Sequence, residues 1–131
     1  LKGPFRLSAN IGARMAEGDG GCIINISSTA SVKASPTSEP YGAAKAGLNA
    51  ITRSFAYAYG PKVRANCIMA GPFLTDISKA WDMDDFNERA KTIPMRRGGQ
   101  PDEIVGAALY LASAGAAFTT GAIIAVDGGS H

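Results

Sequence analysis

The chain has 131 residues, of which 46% are hydrophobic and 18% are charged. This composition excludes a disordered polyelectrolyte, and the length is enough for one domain. The formal net charge is +2, and the basic residues are scattered between Lys2 and Arg97, so we expect no nucleic-acid partner. No apolar stretch approaches the roughly 20 residues that span a bilayer, and we expect neither a membrane partner nor a metal site.

The cysteines and the first residues predict a cytoplasmic protein. Cys22 and Cys67 are the only cysteines, and both lie in strand-like apolar runs, which is typical of buried, reduced thiols. Residues 1–10 lack the charged and apolar regions of a signal peptide. Because Leu1 lies inside an amphipathic segment, we expect a processed or truncated chain.

The first half of the chain predicts a helix, a strand and a second helix. Apolar residues recur at helical spacing over 5–16 and again over 41–59, where Gly60 and Pro61 end the pattern. Between them, the short β-branched run at 22–26 predicts a strand buried on both faces. Residues 27–40 are rich in Ser, Thr and Pro, which indicates a loop.

The second half predicts two further strands with helices between them. Residues 63–69 form an apolar run that predicts a strand, and residues 122–126 form another. Residues 75–99 are less regular, although Asp82 suits the start of a short helix. Another helix is expected to start at residues 100–103, where a proline and two carboxylates suit a first turn.

This alternation of helices and strands predicts the fold class. Connections of this length imply parallel strands joined by right-handed crossovers. Three strands are few for such a sheet, and no internal repeat or second domain is visible. We therefore predict an α/β fold, a partial Rossmann-like doubly wound parallel sheet of three strands with flanking helices.

Tyr41 and Lys45 form the first candidate catalytic pair. They stand four residues apart on the predicted helix, so both project from one face. An ammonium within a few ångströms of a phenol favours the phenolate, which lets a tyrosine act as an acid or base near neutral pH. The alternative is a chance surface contact, and the spacing by itself does not decide between the two.

Ser28 and the turn at residues 70–75 are the next candidates, since each follows a predicted strand. Ligands of open α/β sheets bind at the carboxyl edge, where Ser28 could donate a hydrogen bond to a substrate oxygen. Gly71 would let the backbone approach a flat ligand, and Thr75 offers a hydroxyl or a helix N-cap for a phosphate. The alternatives are a capping serine and an ordinary strand-to-helix turn.

In order and spacing, these motifs resemble the short-chain dehydrogenase/reductase family. The family has an Asn-x-Ser-Ser strand end, a Tyr-x-x-x-Lys motif thirteen residues after the second serine, and a Pro-Gly-x-x-x-Thr loop. Here Ser28 precedes Tyr41 by thirteen residues, Lys45 follows, and Gly71 leads to Thr75. Ala70 replaces the usual proline. The Val-Asp-Gly-Gly segment at 126–129 is also similar to the family's ending.

The resemblance implies hydride transfer between a nicotinamide cofactor, NAD or NADP, and a carbonyl or alcohol carbon of a small molecule. Tyr41 would be the general acid/base, Lys45 would hold the nicotinamide ribose, and Ser28 would orient the substrate oxygen. The cofactor contacts implied by the resemblance are Ile26, Tyr41, Lys45, Gly71, Phe73 and Thr75.

The resemblance also implies that residues 76–97 cover the substrate. Its candidate pocket or lid residues are Trp81, Met83, Phe86 and Met95. We expect Trp81 and Phe86 in particular to contact substrate. The alternative is ordinary core, because Trp81 and Phe86 are also spaced as a hydrophobic staple across the helix that begins after Asp82.

The family's Gly-x-x-x-Gly-x-Gly dinucleotide loop is not found in these 131 residues. Gly18, Gly20 and Gly21 precede a strand instead of following one. We therefore expect residues 1–131 to be the carboxyl-terminal half of one NAD(P)-binding domain, inactive alone and assembling as a homo-dimer or homo-tetramer through helices 5–16 and 41–59. The alternative is a non-catalytic, self-associating module that keeps the signature residues by descent.

Overall fold

The computed structural model describes residues 1–34, 36 and 38–131; residues 35 and 37, which fall in the predicted loop 27–40, lie outside the described residues. The helices and strands, in chain order, are α1 (Lys2–Glu17), β1 (Gly21–Ser28), α2 (Glu39–Tyr59), β2 (Val63–Ala70), α3 (Met83–Ala90), α4 (Val105–Ala112) and β3 (Ile123–Val126). Each corresponds to a predicted element. The predicted start at 100–103 is a 3₁₀ turn, Pro101–Ile104, that leads into α4. No helix of the described part is long and apolar enough to cross a bilayer.

The described strands form one parallel sheet, as predicted, and their order is β1-β2-β3. Ser28, the last residue of β1, lies opposite Ala70, the last residue of β2. Ala70 in turn lies opposite Val126 of β3. The three strands therefore end in one row, and the residues that follow them lie at the same edge of the sheet.

Helices cover both faces of the sheet. On β2, the Cys67 thiol donates to Asn49 Oδ1 of α2 at 3.6 Å, whereas the Arg64 guanidinium donates to the Leu111 carbonyl of α4 at 2.9 Å. Because side chains three residues apart on a strand point to opposite faces, α2 and α4 lie on opposite sides. Both crossovers move one strand in the same direction along the sheet, from β1 to β2 and from β2 to β3, so helices on opposite faces give them opposite hands. The prediction that both are right-handed is therefore wrong for one of them. The physical reason is that α4 covers the face of β2 that carries Ile68, which is fully buried.

The prediction that the first strand is buried on both faces is wrong. Ile26 of β1 is 46% exposed, whereas its neighbours Asn25 and Ser27 are 8% and 2% exposed. Asn25 and Ser27 face α2, and Ile26 points to the opposite face of an edge strand, which α4 covers only in part. The polar residues of this strand are thus its buried ones.

Both cysteines are free thiols, as predicted from their apolar surroundings. Cys67 is fully buried in β2, and this burial raises the pKa of its thiol. Cys22 is only half-buried, so the prediction that both thiols are buried is wrong for Cys22, which lies on the edge strand β1. Phe55, which is buried between α2 and β2, stacks on Tyr59 with ring centroids 5.5 Å apart.

Candidate active site

The first two turns of α2 carry the candidate acid/base pair. Tyr41 is 49% exposed, and Lys45 Nζ lies 5.6 Å from the centroid of its ring. The ammonium of Lys45 also donates to the Ile26 carbonyl of β1 at 2.8 Å. The Tyr41 hydroxyl makes no hydrogen bond to another described residue, so it is available to a ligand. The structure thus brings Ile26, Tyr41 and Lys45 together.

Ser28 lies at the carboxyl end of β1, two residues after Ile26, whose carbonyl Lys45 contacts. Its Oγ accepts a hydrogen bond from the Ala30 N–H at 3.2 Å and so caps the turn Thr29–Ser31. A Cβ at Gly42 would lie 2.8 Å from the Ala30 carbonyl, so the first turn of α2 packs directly on that turn. Ser28 therefore caps a turn, as one of the two interpretations predicted. The cap uses only the oxygen as an acceptor, so the hydroxyl hydrogen can still donate to a ligand oxygen.

The turn after β2 packs against the end of β3. The Gly71 N–H donates to the Val126 carbonyl at 3.0 Å, and a Cβ at Gly71 would lie only 2.6 Å from Asp127 Cα. The close approach that requires glycine here is thus to the backbone after β3. Thr75 precedes the 3₁₀ turn Asp76–Ala80, but its hydroxyl does not cap that turn.

A cleft of about 250 Å³ opens at the ends of β2 and β3. Its lining residues are Gly71, Pro72, Phe73, Met95, Arg97, Gly99, Glu103, Val126, Asp127 and Gly128. Three of these, Gly71, Phe73 and Met95, are candidates from the sequence. The charged residues among them, Arg97, Glu103 and Asp127, were not predicted as site residues, because they lie together only in the folded chain. Their local signals, a helix start at 100–103 and the Val-Asp-Gly-Gly segment, do not show that they meet.

The charged groups of the cleft are paired within the chain. Arg97 donates two hydrogen bonds to the Glu103 carboxylate, one at 2.6 Å, which lowers the pKa of Glu103 to about 2. Burial raises the pKa of Asp127, but hydrogen bonds from His131 and the Gly129 N–H outweigh it, so its pKa lies below the usual range. Both carboxylates are therefore ionised near neutral pH and already have partners.

The predicted substrate segment divides into buried and exposed residues. Trp81 packs on Phe86 with ring centroids 5.2 Å apart, and Asp82 caps α3 between them, as the staple pattern predicts. Phe86 is 5% exposed and belongs to a buried cluster, so the structure favours the core alternative for it. Trp81 is half-buried, whereas Met83 and Met95 are 40% and 59% exposed.

Fold and site together define a class of protein. A parallel α/β sheet carries a hydroxyl, a phenol and an ammonium near the carboxyl end of its edge strand, and a glycine turn follows the next strand. Such a set can donate and accept a proton at a substrate oxygen and hold hydroxyl groups of a second ligand.

Comparison with known proteins gives matches along the whole chain. A family model described as enoyl-(acyl carrier protein) reductase matches residues 1–131. The chain is 41% identical over 116 residues to the 3-oxoacyl-(acyl-carrier-protein) reductase of Chlamydia trachomatis serovar D, a match that covers 88% of this chain and 47% of that protein.

Solved structures give a similar picture. The gluconate 5-dehydrogenase of Burkholderia cenocepacia J2315, in complex with NADP and tartrate, is 35% identical with a TM-score of 0.94, covering 99% of this chain and 52% of that one. A 7α-hydroxysteroid dehydrogenase complexed with NADH and 7-oxo glycochenodeoxycholic acid is 33% identical with a TM-score of 0.92, covering 98% and 51%.

The chain belongs to the short-chain dehydrogenase/reductase family. It matches the carboxyl-terminal portion of its relatives. It spans about half the length of the curated relatives it matches.

Proposed function

We propose that the protein containing this chain is an NAD(P)-dependent oxidoreductase that transfers hydride between a nicotinamide and a carbonyl or alcohol carbon of a small molecule. The observation that carries the proposal is the placement of the Lys45 ammonium 2.8 Å from the Ile26 carbonyl and 5.6 Å from the Tyr41 ring centroid. The family membership and the relatives that bind NADP or NADH support it. Its free cysteines fit the reducing cytoplasm.

The donor groups fit a nicotinamide nucleotide. The Lys45 ammonium has three N–H groups and uses one on Ile26, which leaves two for ribose hydroxyls. When bound, the nicotinamide supplies or accepts the hydride. The half-exposed Tyr41 would give its phenolic proton to the substrate oxygen, and Lys45 would stabilise the phenolate that remains. Ser28 would donate its hydroxyl hydrogen to the same substrate oxygen and so orient it.

The remaining cofactor contacts would come from the turn after β2. The Gly71–Thr75 turn is fixed against β3 and Gly99, and the Thr75 hydroxyl is not used as a cap. Phe73, through its backbone, and Thr75 would meet the carboxamide and a nearby phosphate. The glycine-rich motif that would seat the pyrophosphate is not among these 131 residues. We therefore propose that they have little or no turnover by themselves.

A fluorescence titration of the purified protein with NADH and NADPH tests the proposal. Replacing Lys45 with methionine is expected to weaken binding by roughly 10- to 100-fold, because charged hydrogen bonds to ribose are lost. Lys62→Met is the matched control, since Lys62 Nζ also donates to a backbone carbonyl, that of Gly18 at 3.3 Å, and is exposed. This control is expected to bind as the unaltered protein does.

The intact mass of the denatured protein decides how the titration is interpreted. A mass about twice 13.5 kDa with saturable binding of either nucleotide supports the proposal, since the matched relatives are about twice as long. The same mass without binding of either nucleotide contradicts it. Saturable binding by a polypeptide of 13.5 kDa contradicts the reason given for the inactivity of these residues alone, which is that they do not seat the pyrophosphate.

We also propose self-association through α1 and α2, as a homo-dimer or homo-tetramer. Leu7 and Ile11 share one face of α1 and are 63% and 49% exposed, and Tyr57 of α2 is 94% exposed. Leu7→Asp is expected to lower the mass measured by sedimentation equilibrium, because it buries a charge at the contact. Lys2→Gln changes the charge of α1 by the same amount at an exposed position on the side of the helix opposite Leu7 and Ile11, and it is expected to leave the mass unchanged. An unchanged mass for Leu7→Asp contradicts the proposal.

A further inference from the structure

Three polar side chains are buried between β1 and α2. We name this group the buried polar seam; its members are Asn25, Ser27 and Thr52. Each is no more than 8% exposed, in a position where apolar side chains would pack a strand against a helix. Burial of polar groups is unfavourable unless they are hydrogen-bonded, so a seam of this kind requires specific partners.

The seam connects β1 to α2 by hydrogen bonds at two positions along the helix. Ser27 Oγ donates to the carbonyl oxygen of Lys45 at 3.1 Å. Two residues earlier on β1, Asn25 Nδ2 donates to Thr52 Oγ1 at 2.9 Å, and that hydroxyl donates to the Leu48 carbonyl at 2.8 Å. Residues 45 and 52 are separated by about two helical turns, so α2 is held at both ends of this span.

Hydrogen bonds of this kind determine register in a way that apolar contacts do not. A helix that slides by one residue turns each side chain by about 100° and moves it by about 1.5 Å. Such a slip would take Lys45 Nζ away from the Ile26 carbonyl, which it reaches at 2.8 Å. It would also break both bonds of the seam and leave their buried donors without partners.

We propose that Ser27 and Thr52 are positioning residues, which hold α2 in the register that keeps Lys45 at Ile26 and beside Tyr41. The inference rests on the proposed function for its catalytic consequence. Ser27 acts through the backbone of Lys45, and Thr52 acts through Asn25. Neither residue contacts the reacting atoms, and Ser27 thus differs in role from the adjacent Ser28.

The test uses Ser27→Ala and Thr52→Val in the enzyme that contains this chain. Each is expected to lower kcat and weaken dinucleotide binding by roughly 10- to 100-fold, since misplacement by about 1 Å is that costly. Thr52→Ser, which restores the hydroxyl, is expected to recover most of both. Ser54→Ala is the matched control on α2, because the Ser54 hydroxyl also bonds to the carbonyl four residues earlier, that of Ala50 at 3.3 Å, but faces solvent.

Two further measurements separate positioning from stability. Leu111→Ala removes a fully buried side chain on α4 and is expected to lower stability without changing kcat below its unfolding temperature. Nuclear Overhauser contacts between the Lys45 side chain and the Tyr41 ring, measured in the folded protein, are expected to weaken in Ser27→Ala and Thr52→Val but not in Leu111→Ala.

The outcomes distinguish the inference from the function on which it rests. If Ser27→Ala and Thr52→Val keep both the Overhauser contacts and kcat, the positioning inference is wrong and the proposed function stands. If the unaltered enzyme transfers no hydride, the proposed function fails, and the Overhauser contacts still decide the positioning role. Equal losses of kcat in Leu111→Ala and Ser27→Ala would overturn the inference in favour of general destabilisation.

Discussion

Replacement of Tyr41 by phenylalanine is expected to reduce kcat by about 10²- to 10⁴-fold in the enzyme that contains this chain, because general acid/base catalysis is lost. Folding stability is expected to stay nearly unchanged. The lost hydroxyl has no hydrogen-bond partner among the described residues, and the ring is 49% exposed. The measurement is the rate of absorbance change of the dihydronicotinamide at saturating substrate, beside the unfolding free energy of both proteins.

Tyr57→Phe is the matched control for this prediction. Tyr57 lies on the same helix, loses the same hydroxyl, and is 94% exposed on a surface away from Lys45. Its kcat is expected to equal that of the unaltered protein. If Tyr41→Phe also keeps its kcat, the proton does not come from Tyr41 and its proposed catalytic role is wrong. If the unaltered protein has no turnover at all, the alternative of a non-catalytic, self-associating module that keeps the signature residues by descent is favoured.

Replacement of Gly71 by alanine is expected to destabilise the protein by about 1–3 kcal/mol, the usual cost of overpacking. A Cβ at this position would lie 2.6 Å from Asp127 Cα and 3.0 Å from its carbonyl oxygen, so backbone must move. The movement would strain the hydrogen bond from the Gly71 N–H to Val126 and shift the turn that is proposed to meet the cofactor. Urea unfolding followed by fluorescence of Trp81, the only tryptophan, measures the loss.

Gly106→Ala provides the comparison for Gly71→Ala. Gly106 lies in α4, and a Cβ there has no heavy atom within 4 Å. Alanine favours helix over glycine, so this variant is expected to gain up to about 1 kcal/mol. If Gly71→Ala is as stable as the unaltered protein, the contact with Asp127 does not constrain the turn, and glycine is required there only by a ligand.

Local sequence patterns were enough to predict the helices and strands and the positions of the main site residues. Helices and strands follow from local periodicity, which depends on residues within a few positions of one another. The same is true of Tyr41 and Lys45, since four residues on a helix place two side chains on one face. Ser28 could be assigned to the sheet edge because strands of a parallel sheet all end at one edge.

The contacts that those residues make depend on how distant parts of the chain pack together. The burial of Asn25 and Ser27, the approach of Gly71 to Asp127 and the opposite hands of the two crossovers all depend on contacts between distant segments. Polar residues inside an apolar strand run were a sign of buried hydrogen bonds, but the sequence does not say which helix supplies the partner. Local pattern decides which face of an element is apolar, whereas packing of the whole chain decides what covers that face.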